Sequence, residues 1–542
     1  MKKAIYFIFI AFLTATNFAQ EKTKPKLVVG IVIDQMRYDY LVRFGEKYGE
    51  GGFKRILKNG FSLENAHFNY IPTYTAVGHA SIYSGSTPEN HGIIGNSWYD
   101  KYAKKWIYCV DDSNYQSVGS VKGGKKSPYR MQTTTVTDQL KLGQNMNGKV
   151  ISLAIKDRSA ILPAGHTANG AYWFEGNTVG KWITSSYYMN SLPRWVQKFN
   201  ASGKAADYLS KPWNTLYNIN TYTESIKDDN PYEGLFKGKK KPVFPYNIPK
   251  LMAKNGNYDI IKEIPAGNSL TTDFAKAAIL GENLGKSKFV DFLAISYSTP
   301  DYIGHQFGVA SKELQDNYLR LDKDLASLFT FLDQQVGKDN YTLFLTADHA
   351  VVHVPSYLQS QKIPAHYFNA RDFRNYVNGI TSKYFKSDQL VESISNFQIF
   401  LNKDNIASLN LETSRVAQKI ADEVINYSKI YKAVTARTMQ TTHFTDGILQ
   451  KLQKGYNQKF SGDVLLIPLP STIIRGRTGT THGSGYNYDT HVPIIFYGNG
   501  IKSGSSKKLH TVIDIAPTIA NLLQIEFPNG STGKIVKEAL KK

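Results

Sequence analysis

FVDFLAISYSTPDYIGHQFG (289–308), a polar–apolar stretch from Lys312 to Val336, and YTLFLTAD (341–348) follow one another in the middle of the chain. The first and last contain continuous apolar runs rich in branched residues, as in strands covered on both faces. Between them Leu314, Tyr318, Leu321, Leu325, Leu328 and Leu332 recur at spacings of three and four, which predicts one long helix over 312–336 with a single apolar face. Strand, helix, strand in that order implies a parallel α/β sheet. Three further runs have the same character: KLVVGIVID (26–34), DVLLIPLP (463–470) and VPIIFYG (492–498). The expected fold is therefore α/β, a mostly parallel central sheet flanked by helices. In such sheets ligands bind at the carboxyl ends of the strands, the edge at which Asp34, the residues after Ser298, and Asp348 fall.

Residues 95–285 look different. They are rich in Tyr, Asn, Ser, Lys and Gly, with a basic knot KGKKK (237–241) that reads as a solvated loop, and are expected to form an insertion capping the sheet. The more helical segment 383–430 is expected to be a second insertion in a single catalytic domain over 20–542. Met1-Lys2-Lys3, the apolar run Ala4–Leu13 and the small and polar residues through Gln20 have the outline of a secretory signal over 1–19, too short to span a membrane. The mature chain is accordingly expected to be periplasmic or secreted, without stable membrane insertion. A net charge of +21 suits nucleic acid, an anionic surface or an anionic small substrate, and export argues against genomic nucleic acid. The lone cysteine, Cys109, excludes an intramolecular disulfide framework and Cys-rich zinc modules, so any metal must rest on His and carboxylate.

Such residues cluster at the strand ends. Asp34 closes the first run, and Asp348-His349 close another in FLTADHAVV. Asp301 and His305 stand four apart in STPDYIGHQFG, on one face if that turn is helical. His482 lies in the Gly-rich loop TTHGSGYNYDTHVP (480–493), directly before the last run. Taken singly each is a cap or turn former; together they point to a shared metal centre, with one ion or two left open. Carboxylate–imidazole ligation without thiolate fits zinc or manganese better than calcium or magnesium. PTYTAVGH (72–79) precedes an apolar helix-like stretch, which would place a threonine hydroxyl at a helix N-terminus among free N–H donors.

In chain order, Asp34, PTYTAVGHAS, the Asp301/His305 pair, Asp348-His349, the HGS loop at His482 and DIAPTIANLL (514–523) resemble the alkaline phosphatase superfamily over nearly the whole mature length. Within it the chain is most similar to the phosphate-irrepressible, threonine-nucleophile alkaline phosphatases of the bacterial periplasm. The resemblance implies an alkaline-phosphatase-like sheet and two zinc ions per chain. It makes Thr75 the nucleophile and places one zinc on Asp34, Asp348, His349 and the Thr75 oxygen, the other on Asp301, His305 and His482. Asn96 in HGIIGNSWYD and Lys156 and Arg158 in SLAIKDRSAILPAGH match the residues that hold the phosphoryl group, together with the N–H after Thr75. In an extended segment Lys156 and Arg158 would point the same way. The implied reaction is hydrolysis of small phosphate monoesters through a phosphothreonine.

A sulfatase of the same superfamily needs a Cys or Ser in a CxPxR-type motif, and Cys109 sits in IYCVDDS instead. A phosphodiesterase or nucleotide pyrophosphatase is the serious alternative, because it shares the threonine and all six metal ligands. A monoester dianion exposes an extra charged oxygen that Lys156 and Arg158 can neutralise, which favours the monoesterase. Ala350, where many relatives have Gly, is a mild departure. His67, His91, His166, His353, His366, His443, His491 and His510 are assigned structural or surface roles, and His79 is expected to pack near the nucleophile helix.

Overall fold

In the computed structural model, which describes residues 24–541, ten strands form one sheet. We number them β1 (Leu27–Ile33), β2 (Phe61–His67), β3 (Ser117–Val118), β4 (Val150–Ala154), β5 (Gly170–Glu175), β6 (Lys181–Ser185), β7 (Asp291–Tyr297), β8 (Tyr341–Thr346), β9 (His491–Gly498) and β10 (Gly504–Thr511). Their order across the sheet is β10-β2-β9-β8-β1-β7-β4-β5-β6-β3. The central block β8-β1-β7-β4-β5 is parallel throughout, while β9 and β6 run antiparallel to β8 and β5. All residues of β1, β7 and β8 are buried, as their unbroken apolar runs require. The expected signal segment 1–19 lies outside the described residues. No helix among the described residues is long and apolar enough to cross a membrane.

Five helices frame the sheet edge where the strand ends meet or brace the core behind it: α1 (Thr75–Ser84), α2 (Asp157–Ala164), α3 (Thr299–Phe307), α4 (Lys312–Gln335) and α5 (Ile515–Leu523). Helix α4 is the one read from the leucine spacing. Ser311 caps it by accepting the Leu314 N–H, and all six apolar positions of its face are buried. A separate four-stranded sheet (Val391–Ser395, Gln398–Leu401, Val464–Pro468 and Ile430–Thr435, in that order) packs with helices Ala370–Phe385 and Thr413–Val424 around its own apolar core.

Two expectations change here. Residues 95–285 are not merely a cap: they supply β3, β4, β5 and β6 of the main sheet. Those strands are only two to six residues long, and the polar loops between them hide them in any average of composition. The run 463–470 is a strand, but of the smaller sheet, and the inserted unit extends well beyond 383–430 on both sides. A continuous apolar run reports burial on two faces and carries no information about which sheet it joins.

Candidate active site and metal centre

Four neighbouring parallel strands deliver the site. Asp34 follows β1, α3 with Asp301 and His305 follows β7, Asp348-His349 follow β8, and Lys156 with α2 follows β4. The loop before β9 brings in His482. Thr75 opens α1, where its neighbouring N–H groups are free of intrahelical partners. Its Oγ1 lies 3.4 Å from His349 Nε2.

The imidazoles are oriented by the backbone. Nδ1 of His305 meets the Thr480 carbonyl at 2.8 Å, Nδ1 of His482 meets the Thr73 carbonyl at 2.7 Å, and Nδ1 of His349 meets the Ala350 carbonyl at 3.2 Å. A carbonyl can only accept, so Nδ1 carries the proton in each ring and Nε2 turns its lone pair to the site. Those Nε2 atoms face carboxylates: His305 and His482 lie 3.1 and 3.6 Å from Asp301 Oδ1, and His349 lies 3.4 Å from Asp34 Oδ1 and 3.6 Å from Asp348 Oδ2. Two groups are compact enough to grip an ion: Asp301, His305 and His482, and Asp34, Asp301 and His349. The His349 and His482 rings stack at 3.4 Å, which brings the two groups together.

Charge in this cluster is unbalanced. Asp34, Asp301 and Asp348 are buried, and among the described residues the Lys156 ammonium is the one Lys or Arg group in contact with them, 2.7 Å from Asp34 Oδ2 and also bonded to Asp301 Oδ2. Burial pushes the Asp34 carboxyl up to about 6 although Lys156 pulls it down, and burial with the Asp34 charge holds Asp348 well above its usual range. Burial acts on Asp301 in the same sense, but His305, Lys156 and His482 outweigh it and keep that carboxyl well below the ordinary value. Burial also drops His482 to about 3 and His349 far below its usual range, so the rings are neutral. Asp34 Oδ1 and Asp348 Oδ2 are buried without a hydrogen-bond donor. Neutral imidazoles, surplus carboxylate and orphaned oxygens are what a divalent-cation centre requires.

Every catalytic and metal-binding candidate singled out in the sequence comes to this place, with two differences. Lys156 has the expected extended backbone but as the N-cap of α2, and Arg158 lies in the first helical turn, so the two are not related by strand alternation. The Ala76 N–H, expected to be free for substrate, donates to Asn96 Oδ1 at 2.9 Å, which orients the Asn96 amide beside Thr75. His79 does pack inside α1, bonded to the Thr75 carbonyl and Ser296, with Nδ1 3.4 Å from Asp348.

Two supporting residues were not read from the sequence. Gln35 sits at φ 67°, donates its N–H to Asp348 Oδ1 at 3.1 Å and its amide to Asp301 Oδ1 at 2.5 Å, and so ties together carboxylates from two strand ends. Gly304 makes room for it, since a Cβ there would stand 1.9 Å from Gln35 Oε1. Tyr108 accepts from Arg158 Nη1 at 3.0 Å and donates to Asp157, which Lys126 also pairs. Only Gln35's position next to Asp34 could have drawn notice; nothing in the sequence marks Tyr108. Gly78 of α1 is equally constrained, because a Cβ would meet the Asp348 carbonyl at 2.1 Å. Gly78→Ala is expected to destabilise the fold by about 1–3 kcal/mol through overpacking and to lower turnover by displacing Asp348. Chemical denaturation with parallel rate measurements checks this, and an unchanged midpoint and rate would contradict the packing argument.

The family model for type I phosphodiesterases and nucleotide pyrophosphatases matches residues 28–492. Alkaline phosphatase PafA of Elizabethkingia meningoseptica is 42% identical over 95% of this chain and 95% of its own. A crystal structure of wild-type alkaline phosphatase PafA superimposes with a TM-score of 0.92, covering 96% of this chain and 99% of the other. Alkaline phosphatase PhoV of Synechococcus elongatus is 45% identical over 97% of this chain and 94% of its own. A Myroides odoratus protein named calcium-transporting ATPase is also 45% identical, over 99% of both chains.

Proposed function

The chain belongs to the type I phosphodiesterase and nucleotide pyrophosphatase family, and we propose that within it the protein is a zinc-dependent alkaline phosphatase that hydrolyses phosphate monoesters through a phosphothreonine on Thr75. The observation that carries this reading is a helix-terminal hydroxyl beside the His349 imidazole, in a cluster of three histidines and three buried carboxylates that Lys156 only partly neutralises. Near-full-length identity of 42–45% to relatives named alkaline phosphatase supports it. The name calcium-transporting ATPase is that relative's and is not carried over to this chain.

Asp34, Asp348 and His349 with the Thr75 oxygen would hold one zinc, and Asp301, His305 and His482 the other. When bound, the pair supplies Lewis-acid stabilisation of the attacking and departing oxygens. Thr75 Oγ1, its proton given up to solvent, then forms the bond to phosphorus as the ester P–O bond breaks and the alcohol leaves with a proton taken from solvent, and the positive end of α1 favours the charge on Oγ1. Asn96, with its oxygen engaged by Ala76, offers its amide hydrogens to a phosphoryl oxygen. Arg158, steadied by Tyr108, and Lys156 neutralise the dianion, which is the charge that separates a monoester from a diester. Water then cleaves the P–Oγ1 bond, releasing inorganic phosphate and restoring the hydroxyl. The signal-like residues 1–19 support export, so extracytoplasmic phosphate esters are the proposed substrates.

Metal removal tests the proposal. Dialysis against a chelator should reduce p-nitrophenyl phosphate hydrolysis to background, and about two equivalents of zinc should restore it. Full activity in the metal-free protein, or complete recovery with a single equivalent, would contradict the two-ion site.

A further inference from the structure

Away from the catalytic centre, the loop SIKDDNPYEG (225–234) folds against the start of α4 and gathers three acids, Asp228, Glu233 and Glu313. Glu313 is fully buried and Glu233 is 4% exposed. One oxygen of each acid is accounted for: Tyr246 donates to Glu313 Oε1 at 2.5 Å, Asn230 Nδ2 to Glu233 Oε1 at 2.5 Å, and the Phe244 N–H to Asp228 Oδ2 at 3.2 Å. The second oxygen of each, Glu313 Oε2, Glu233 Oε2 and Asp228 Oδ1, is buried with no donor. Phe244 and Tyr246, two residues apart, hold Asp228 and Glu313, and the loop carries Glu233 beside them, where the charges of Glu313 and Asp228 both raise it. The charges of Lys312 and Lys239 lower Asp228, but their hydrogen bonds go to backbone carbonyls. Lys312 bonds the Tyr222 and Ile219 carbonyls, and Lys239 those of Val243 and Pro245. Among the described residues, no Lys, Arg or His forms an ion pair with any of the three acids.

We propose that Glu233 and Glu313, with Asp228 beside them, bind one hard divalent cation, calcium by its ligand chemistry, at a site separate from the catalytic metals. Oxygen is the only donor type in the cluster, with carboxylate supplied by two elements. Among the described residues, the side-chain groups tight enough to enclose a small ion with three His or acid ligands are those at Asp301 and Asp34. The Glu233–Glu313 site must therefore complete its shell with carbonyl, amide or water oxygens, which the large and irregular shell of calcium accepts and tetrahedral zinc does not. The competing occupant is a proton. Burial pushes Glu233 up to about 11 and Glu313 up to about 8, so without a cation the pair keeps hydrogen at neutral pH.

The position gives such an ion a structural purpose. The Gly234 N–H donates to the Gln306 carbonyl at 2.7 Å, one residue beyond His305, and the Gly479 N–H donates to the Tyr232 carbonyl at 2.8 Å, three residues before His482. The loop that holds the acids is thus bonded to both segments that carry the second proposed zinc site. Fixing it would stiffen that half of the centre.

The test uses the full chain, zinc-saturated and then dialysed against calcium-free buffer at constant free zinc. Addition of 1 mM CaCl2 should bind about one calcium per chain by elemental analysis after desalting. It should raise the thermal midpoint by roughly 2–5 °C, with MgCl2 less effective. Glu313→Gln and Glu233→Gln should each abolish both the bound calcium and the shift. A wild-type chain with no bound calcium and an unmoved midpoint would overturn the site. Glutamine variants as stable as the calcium-saturated wild type would likewise mean that the carboxyls share a proton. The wild-type measurement decides alone if either variant fails to fold.

Discussion

Thr75→Ala is expected to abolish turnover of p-nitrophenyl phosphate, by at least about 10⁴-fold, while the protein keeps its fold and about two zinc ions. The hydroxyl holds little of the structure in place: Oγ1 meets only His349 Nε2, at 3.4 Å. The Thr75 carbonyl, which anchors His79, belongs to the backbone and survives the substitution. All six protein-borne ligands proposed for the metals also remain, so the loss should lie in kcat and not in zinc content. Thr75→Ser keeps a hydroxyl at the same helix position and should retain measurable activity. Acid quench of the wild-type enzyme with labelled substrate should leave phosphate on Thr75 and none on the alanine variant. Wild-type rates in Thr75→Ala would remove the nucleophile from the account.

Arg158→Ala should cost on the order of 10²–10³ in kcat/KM for a monoester and markedly less for a diester. Arg158 bonds Tyr108 and, among the described residues, forms no hydrogen bond or ion pair with a proposed metal-binding side chain, although its charge lowers Asp34, so its removal tests charge recognition with the ligands left in place. Lys156→Ala is a different experiment, because Lys156 bonds both Asp34 and Asp301. Its loss removes the cation that competes with a metal for those two carboxylates, so zinc binding should be kept or tightened while the rate falls, and the metal-free protein should be less stable because two buried carboxylates lose their partner. Measuring rate, zinc content and metal-free stability of both variants separates the effects: neither rate should be rescued by added zinc, and only Lys156→Ala should destabilise the metal-free protein. Equal losses on monoester and diester for Arg158→Ala would count against the specificity argument.

How far the sequence carried this picture depends on the type of signal. Strands β1, β7 and β8 and helix α4 were legible because strong, uninterrupted periodicity is decided locally. The acids and histidines at their ends were legible because a parallel sheet sends successive strand ends to one edge, so residues hundreds of positions apart need only end their own strands to meet. Strands β4, β5 and β6 were not, being short and set among polar loops. Residues 463–470 showed a strand but not its partner, which only packing decides. Lys156 and Arg158 lie beside the other candidates, but only Lys156 has the extended backbone expected for both, because a three-residue window does not distinguish a cap and first turn from a strand. Gln35 was out of reach for a further reason. Its role depends on a left-handed turn and on the missing side chain of Gly304, two features far apart in the chain.

The most direct test of the central claim is the ratio of kcat/KM for p-nitrophenyl phosphate to that for bis-p-nitrophenyl phosphate, on zinc-loaded wild-type protein. A phosphate dianion held by Lys156, Arg158 and Asn96 predicts a ratio well above one, by roughly 10²-fold or more, collapsing toward one in Arg158→Ala. A ratio below one would make the chain a diesterase of the same family and leave Lys156 and Arg158 to be explained otherwise.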